Sequence, residues 1–240
     1  MSTLIMVRHG QASFGAADYD NLSLLGIEQS KALGTFWAGR GLRLDEVFSG
    51  EQQRQVHTLR LVQEAYGKRG LGFPEPRVLE AFNEYDADAI IHRFLPRLLE
   101  TEPAVREGME RFTREGPRSP EGKRAFQGVF ETVMDRWLGG DGDAVGVESW
   151  HGFRGRVLGG LRAVVEATPS GKTVAVFTSG GPISAVLQHA LGTPDRVALD
   201  LGWIIKNGSL TEFRFSGDRF TLVGFNATPQ YDSEEMITYR

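Results

Sequence analysis

The sequence predicts an α/β fold, a three-layer α/β/α sandwich whose central sheet is mostly parallel and has an antiparallel portion. Segments of strand character alternate with segments of helical apolar spacing along most of the chain, which is the pattern of parallel strands joined by helices. Near the carboxyl end, apolar and polar residues alternate on both sides of a Ser216-Gly217-Asp218 turn. This is the signal of a β-hairpin, so the sheet is expected to be mixed.

Three short apolar segments predict the parallel strands, at residues 4–7, 46–48 and 173–177. Segments with helical apolar spacing lie between and around them. The first helix follows Ser23, a residue type that caps helix N-termini, and stops near Gly39. The other helices are predicted at about 51–66, from Ser149 to before Pro169, and at 182–191 with Pro182 in the first turn.

A stretch of different composition, residues 86–146, interrupts this alternation. It is rich in Arg, Glu, Pro and Gly, and it has helical patterns at 90–99 and 126–138. We interpret it as a helical cap inserted into a single domain of residues 1–240, rather than as a separate domain. We expect this cap to cover the functional site.

The composition limits the class of protein. Of the 240 residues, 40% are hydrophobic and 24% are charged, as in an ordinary globular protein. The net charge of −4 gives no basic footprint for nucleic acid or an anionic membrane, and no apolar run approaches the ~20 residues of a membrane span. The absence of cysteine excludes disulfides and thiolate metal sites. We expect a cytoplasmic protein with no nucleic-acid or membrane partner.

The most informative motif is Arg8-His9-Gly10, which comes directly after the first predicted strand. Open α/β sheets bind their ligands at the carboxyl ends of the strands. Imidazole is nucleophilic at neutral pH, a guanidinium matches phosphate oxygens as a planar fork, and glycine lets the backbone approach a ligand closely. The motif predicts a site where a histidine attacks phosphorus; the alternative for a lone histidine is a satisfied buried side chain.

Three further segments, in sequence order, resemble the histidine phosphatase superfamily, also called phosphoglycerate mutase-like. Residues 22–30 are similar to the start of the family's first helix, and residues 174–182 to its later strand and Gly-Gly turn. Residues 48–58 are similar to its serine-containing strand end and next helix, with Arg54 four residues before Thr58. The resemblance runs over nearly the full length, apart from the insertion.

The resemblance implies a phosphoryl-transfer site that uses neither a metal nor a cofactor. His9 would be the nucleophile that forms a phosphohistidine, with its other ring nitrogen donating to a backbone carbonyl or similar acceptor. Arg8 and Arg54 would hold the phosphoryl oxygens through the transition state. The remaining residues of the predicted phosphate-binding set are Gln11, Ser13, Ser179 and Gly180. For Gln11 and Ser13, a purely structural role in the turn is the alternative.

The leaving oxygen of a phosphoester needs a proton, so a carboxylic acid is expected near the phosphate. The family takes a glutamate from the segment after its second helix, and residues 78–86 contain Glu80 and Glu84. Glu84 fits the family pattern better within Phe-Asn-Glu. We therefore assign the acid role to Glu84 and keep Glu80 as the alternative.

Ser179 departs from the family pattern, which places a second histidine between this strand and the Gly-Gly turn. A serine offers only a neutral hydroxyl on a shorter arm, whereas charge-assisted hydrogen bonds are about twice as strong. Three explanations stay open. Another histidine, His57 or His92, fills the gap; the substrate supplies the missing group; or the protein binds phosphorylated ligands with little turnover.

The function predicted from the sequence is a metal-independent phosphomonoester hydrolase that acts through phosphohistidine on a small phosphorylated metabolite. One alternative is a phosphoglycerate mutase-type transferase, which the serine at position 179 makes less favoured. Another is a weakly active or non-catalytic phosphoester-binding protein. The substrate and the oligomeric state do not follow from the sequence, although exposed hairpin edges or helices in such folds can pair into a homodimer.

Overall fold

The computed structural model describes residues 1–13, 20–140 and 146–239. The chain divides into two compact units, one made of Met1–Glu84 with Arg156–Arg240 and the other of Tyr85–Gly155. The first unit contains the sheet, and the second is helical. Residues 141–145 of the predicted insertion lie outside the described residues, and its interpretation as a cap over the site stays a prediction.

Over the described ranges, the first unit contains a mixed sheet of six strands, which confirms the α/β prediction. The strands are β1 Ser2–Arg8, β2 Glu46–Ser49, β3 Arg77–Val78, β4 Thr173–Thr178, β5 Leu210–Ser216 and β6 Arg219–Ala227. Their order across the sheet is β3-β2-β4-β1-β5-β6. The pairs of β1 with β4, β4 with β2 and β2 with β3 are parallel. The pairs of β1 with β5 and β5 with β6 are antiparallel, so the predicted hairpin lies at one edge.

Eight helices occur in the same described ranges. They are α1 Leu24–Gly39, α2 Gln53–Gly67, α3 Ala87–Thr101, α4 Pro103–Glu115, α5 Pro120–Leu138, α6 Trp150–Ala167, α7 Gly180–Leu191 and α8 Asp195–Ile204. Two of these helices, α1 and α6, begin at the serine residues from which the sequence predicts them to start. The hydroxyl of Ser23 accepts a hydrogen bond from the backbone N–H of Gly26, and that of Ser149 accepts from Gly152, both at 3.0 Å.

The structure corrects the predicted elements in several places, one of them the two-residue strand β3, which was not predicted. α7 begins at Gly180, two residues before the predicted start, because the Gly-Gly turn is itself helical although glycine is a weak helix former. α4 and α8 were not predicted. In α4 only Val105 is buried, but Val105, Met109 and Phe112 recur at helical spacing, so the sequence held a signal for this helix that was missed. In α8 only Ala198 and Leu199 are buried, so its apolar face is short.

Helices cover both faces of the sheet, as a three-layer sandwich requires. One face packs against α1 and α2 in a core of Ile5, Val7, Val47, Ala175 and Phe177 from the strands with Leu33, Trp37, Leu59, Val62 and Tyr66 from the helices. The other face carries Leu4, which pairs across the sheet with Phe213. The Phe213 ring stacks on Phe220, which lies 5.9 Å from the ring of His189 on α7.

The second unit has its own apolar contacts. Helices α3, α4 and α5 pack against one another. Four aromatic rings form a cluster of tilted and edge-on contacts: Tyr85, Trp137, Trp150 and Phe153. The indole N–H of Trp137, whose ring contacts the other three, donates to the carbonyl oxygen of Glu148 at 2.7 Å. The burial of Trp137, Trp150 and Phe153 stabilises this helical unit.

Gly10 and Gly26 pack backbone against backbone where β1 meets the start of α1. A Cβ built at Gly26 would lie 2.1 Å from the carbonyl oxygen of Gln11, and a Cβ at Gly10 would lie 2.3 Å from that of Gly26. Backbone oxygens cannot rotate away as a flexible side chain does. Both positions therefore require glycine for this close approach.

We expect Gly26→Ala to lower the free energy of unfolding by about 1–3 kcal/mol, because the backbone must shift to admit the methyl group. The matched control is Gly159→Ala at an exposed position of α6, where no atom of the described structure comes within 4 Å of the added Cβ. The control is expected to stabilise by roughly 0.5–1 kcal/mol through helix propensity. Urea unfolding of both variants measures the difference, and equal effects would contradict the close packing.

Candidate active site

The ends of β1 and β4 place the predicted site residues at one edge of the sheet. Arg8, the last residue of β1, pairs in register with Thr178, the last residue of β4. The backbone N–H of His9 then donates to the carbonyl oxygen of Thr178 at 2.9 Å. Ser179 follows directly. The strands thus deliver Arg8, His9 and Ser179 together at their carboxyl ends, where open α/β sheets hold their ligands.

His9 is buried, and its two ring nitrogens have different partners. Nδ1 lies 2.6 Å from the carbonyl oxygen of Gly10, and Nε2 lies 3.2 Å from Nε of Arg54. A carbonyl only accepts and a guanidinium only donates, so Nδ1 carries the hydrogen and Nε2 is unprotonated. This is the arrangement of ring nitrogens that the sequence analysis expects of a nucleophile.

The electrostatics favour the same neutral form of His9. Burial lowers the pKa of His9 well below 6.5, and the positive charges of Arg54 and then Arg8 lower it further. The hydrogen bond to the Gly10 carbonyl opposes this shift and raises the pKa by less. At neutral pH the imidazole therefore has an unprotonated Nε2 directly beside a guanidinium.

Arg54 is held in the interior of the site by a network of acceptors. Its side chain donates from Nη1 to Oδ1 of Asp20 at 2.6 Å and from Nη2 to Oε1 of Gln52 at 2.9 Å. The helix that carries it is tied to the His9 loop through Thr58, whose hydroxyl donates to the Arg54 carbonyl at 2.8 Å and accepts from the Gly10 N–H at 3.0 Å. The threonine four residues after the arginine thus aligns α2 with the end of β1.

Arg8 reaches the site from the other side of the sheet edge. Its Nη1 donates to the carbonyl oxygen of Ile205, and its charge contributes to the low pKa of His9. Its Nε lies 3.9 Å from the position that a Cβ at Gly180 would take, and the same Cβ would lie 3.0 Å from the carbonyl oxygen of Gly202. Gly180 therefore keeps the start of α7 close to the Arg8 side chain.

Glu84, rather than Glu80, lies among these residues. The Glu84 carboxylate accepts from the backbone N–H of Gly181 at 3.0 Å, at the first turn of α7. Its own N–H donates at 3.1 Å to Oε1 of Gln52, the oxygen that also accepts from Arg54. Glu80 is exposed in a 3₁₀ turn. The backbone of Glu84 and the buried guanidinium of Arg54 thus donate to the same carboxamide oxygen.

The side chain that contacts Ser179 is a glutamine, and not His57 or His92. Ser179 is buried, and its hydroxyl oxygen accepts from Nε2 of Gln55 at 2.8 Å. His57 is half-buried on α2 and His92 is exposed on α3. Within the described part of the chain, neither histidine has a hydrogen bond to His9, Arg54 or Ser179. The group that contacts the Ser179 hydroxyl is therefore the buried carboxamide of Gln55 rather than an imidazole.

Gln11 and Ser13 make structural contacts with the start of α1. The Gln11 carboxamide oxygen accepts from the Ser23 hydroxyl at 2.8 Å, and the Gln11 N–H donates to Oε1 of Gln29 at 2.7 Å. The Ser13 N–H donates to the carbonyl oxygen of Asn21 at 2.8 Å. These contacts order the loop after His9. A direct phosphate contact by either side chain stays a prediction.

Several residues of the site were not found from the sequence: Asp20, Gln52, Gln55 and Asn207. A signal existed for Gln55, because it shares helical spacing with the buried Leu59 and Val62 and so had to face the interior. Asp20, Gln52 and Asn207 depend on contacts distant in sequence. Asn207, for example, donates to the carbonyl oxygen of His9 at 3.3 Å and accepts from the hydroxyl of Thr238 at 2.9 Å.

The described residues contain neither a cluster of metal-binding side chains nor a helix that could cross a membrane. No group of three or more His, Cys, Asp or Glu side chains that could hold a metal ion occurs there. In the same residues, no helix is long and apolar enough to cross a membrane.

The arrangement of Arg8, His9 and Arg54 is suited to phosphoryl transfer, and the comparisons with known proteins agree. The model of the histidine phosphatase superfamily (branch 1) matches residues 4–125 and 100–228. The chain belongs to this superfamily. The resemblance noted in the sequence is confirmed.

The named relatives include mutases and a phosphatase. A 2,3-bisphosphoglycerate-dependent phosphoglycerate mutase of Caulobacter sp. (strain K31) is 26% identical over 81% of this chain and 82% of the relative. One from Rhizobium rhizogenes (strain K84 / ATCC BAA-868) is 35% identical, but over only 35% of this chain and 41% of the relative. The phosphoserine phosphatase of Entamoeba histolytica, solved with 3-phosphoglyceric acid, has a TM-score of 0.62 and 17% identity over 96% of this chain and 99% of its own, which supports the fold.

We expect His9 to remain a neutral imidazole with its hydrogen on Nδ1 at about pH 6, just below the ordinary histidine value of 6.5. Long-range ¹H–¹⁵N spectra of the imidazole nitrogens distinguish this tautomer from imidazolium. Arg54→Met removes the nearer positive charge and should raise the pKa of His9 toward 6.5. An imidazolium signal for His9 in the wild type at that pH would contradict the assignment.

The lowered pKa of His9 also makes the free energy of unfolding depend on pH. The unfolded chain binds a proton at His9 near 6.5, whereas the folded chain binds it only at lower pH. Acidification through 6.5 therefore favours the unfolded state, and the contribution of His9 to the free energy of unfolding falls until the folded pKa is reached.

Proposed function

We propose that the protein is a phosphomonoester hydrolase that needs no metal and acts through a phosphohistidine on His9. A small phosphorylated metabolite is the proposed substrate. The observation that carries the proposal is the buried, unprotonated Nε2 of His9, 3.2 Å from the Arg54 guanidinium at the carboxyl edge of the sheet. A nucleophile directly beside a phosphate-binding cation suits attack on phosphorus.

The reaction would proceed in two displacements. Nε2 of His9 attacks phosphorus, the bond from phosphorus to the ester oxygen breaks, and the leaving oxygen takes a proton from the carboxyl group of Glu84. Water then attacks the phosphohistidine, the bond from phosphorus to Nε2 breaks, and the Glu84 carboxylate takes the proton of that water. The products are an alcohol and inorganic phosphate, and both residues return to their starting states.

The contact between Arg54 and His9 must change as the substrate binds. The lone pair of Nε2 that attacks phosphorus is the one that accepts from Arg54 Nε at 3.2 Å. We infer that Arg54 transfers this hydrogen bond from Nε2 to a phosphoryl oxygen, so that the same event frees the nucleophile and stabilises the charge on the phosphoryl group. Arg8 supplies the second cation.

A phosphoglycerate mutase-type transferase is the second candidate. It is supported by the names of the two curated relatives, both of which are 2,3-bisphosphoglycerate-dependent phosphoglycerate mutases. A mutase keeps the phosphohistidine from water and returns the phosphoryl group to a sugar acid. Incubation with 3-phosphoglycerate and a trace of 2,3-bisphosphoglycerate separates the two, since a mutase yields 2-phosphoglycerate and a hydrolase yields inorganic phosphate.

We expect the chelator-treated protein to release phosphate from at least one member of a panel of small phosphomonoesters. A rapid quench should trap an acid-labile, base-stable phosphoenzyme, as phosphohistidine is. His9→Ala should lose both signals, because no phosphohistidine can form, whereas His189→Gln, at an exposed position of α7, should keep them. If phosphorylated ligands bind but no member of the panel turns over, a binding protein replaces the enzyme.

Glu84→Gln is expected to separate substrates by their leaving groups. The variant keeps the size of the side chain but has no proton to give, so kcat on alkyl phosphates should fall by about 10² or more, whereas aryl phosphates should lose much less. Glu80→Gln, at an exposed position, is the matched control and should leave both rates unchanged. Equal losses on both substrate classes in Glu84→Gln would rule out the acid role.

A further inference from the structure

Ser179 and Gln55 form a buried neutral pair at the edge of the candidate site. The exposed fraction of the residue is 1% for Ser179 and 0% for Gln55. Nε2 of Gln55 donates to Oγ of Ser179 at 2.8 Å and to the carbonyl oxygen of Phe82 at 3.2 Å. The pair joins the end of β4 to the helix that carries Arg54.

The Phe82 carbonyl determines which way the Gln55 carboxamide faces. That carbonyl only accepts, and it also accepts from the Thr178 hydroxyl at 2.6 Å. If the Gln55 carboxamide were rotated by 180°, its oxygen instead of its nitrogen would lie 3.2 Å from the Phe82 oxygen. Two acceptors at that distance repel each other. Gln55 therefore presents N–H to Ser179, and the Ser179 oxygen has to accept.

The hydroxyl hydrogen of Ser179 is consequently directed away from Gln55. A serine hydroxyl has one hydrogen to donate, and within the described residues it meets no acceptor. The carboxamide oxygen of Gln55 is also buried without a hydrogen-bond partner there. A buried unpaired acceptor destabilises the fold, so the chain keeps a carboxamide at this place at some cost in stability. Such an exception calls for a functional explanation.

The surroundings of Ser179 show where that hydrogen would find an acceptor. The preceding residue, Thr178, accepts from the backbone of His9, and two residues further on Gly181 donates to the Glu84 carboxylate. Gln55 follows Arg54 on α2. A phosphoryl group on His9 would therefore have Ser179 among its neighbours.

We infer that Gln55 is a positioning residue that turns the Ser179 hydroxyl toward an oxygen of the phosphoryl group transferred to His9. This inference rests on the proposed function. The couple would serve in place of the second histidine that the family resemblance implies. It would do so as a neutral donor oriented by a second neutral group, with Gln55 acting only through Ser179.

A double-mutant cycle on kcat tests the coupling. A neutral hydrogen bond contributes on the order of a 10-fold rate change or less. Ser179→Ala and Gln55→Met should each lower kcat by about 3- to 10-fold, with KM nearly unchanged if the bond strengthens in the transition state. The double variant should be no slower than Ser179→Ala alone, because without the Ser179 hydroxyl a positioning residue has nothing left to position.

The matched control is Gln188→Met, which makes the same change at another buried glutamine of the same unit. Gln188 donates to the carbonyl oxygen of Thr193 and to the Asp195 carboxylate, at the far end of α7 from Ser179. It should lower the thermal midpoint without changing kcat. If Gln55→Met does not fold, Gln55→Glu has the same size and only accepts. It should lower kcat no further than Ser179→Ala does, and the double variant of Gln55→Glu with Ser179→Ala should be no slower than Ser179→Ala alone.

Two results would overturn the inference: losses that multiply in the double variant, or a kcat that Gln55→Met leaves unchanged while Ser179→Ala lowers it. Failure of the proposed function looks different, because then His9→Ala and the wild type are equally inactive. In that event the same four proteins are titrated with inorganic phosphate by calorimetry. If both single variants bind phosphate more weakly by the same factor and the double variant binds no more weakly than either, Gln55 and Ser179 act together in phosphate binding. If the losses of affinity add, or if no variant loses affinity, the inference is wrong.

Discussion

The contact between Arg54 and His9 is the constraint on which the rest of the site depends. A guanidinium against an unprotonated ring nitrogen is stable only while the imidazole stays neutral and the cation has acceptors around it. Asp20 and Gln52 provide such acceptors, and the Gly10 carbonyl selects the tautomer. The Thr58 bridge holds the helix and the strand that carry the two groups in alignment. The packing of Gly10 against Gly26 then keeps the loop in place.

Most of the fold could be predicted from the sequence, because the local patterns of apolar, capping and turn residues agree with the elements that the whole fold requires. The apolar run before Arg8 could only be a buried strand, and Ser23 marks the start of α1 both by residue type and by its hydrogen bond. The hairpin at the sheet edge was visible from alternation around a Gly-containing turn. The two missed helices differ: α4 has apolar residues at helical spacing among many charged residues, whereas α8 has only a short apolar face.

The candidate site was predictable only in part, and the division has a physical reason. Arg8, His9 and Arg54 stand in motifs, and their positions followed from strand ends and from the family resemblance. Asp20, Gln52 and Asn207 act through hydrogen bonds between segments distant in sequence, which no local pattern reports. Gln55 is intermediate: its burial could be read from helical spacing, but the identity of its partner required the end of β4.

The hydrogen bonds from Asn207 to His9 and from Thr238 to Asn207 have a consequence for the order in which the protein is made. The residues that secure the backbone of His9 come 198 or more positions after it in the chain. Contacts of such sequence separation form slowly, after shorter-range structure is present. A nascent chain folding from its amino end therefore carries strand β1 before its neighbour β5 exists. During translation, the backbone carbonyl of His9 therefore stays without its Asn207 partner until at least 198 further residues have been synthesised.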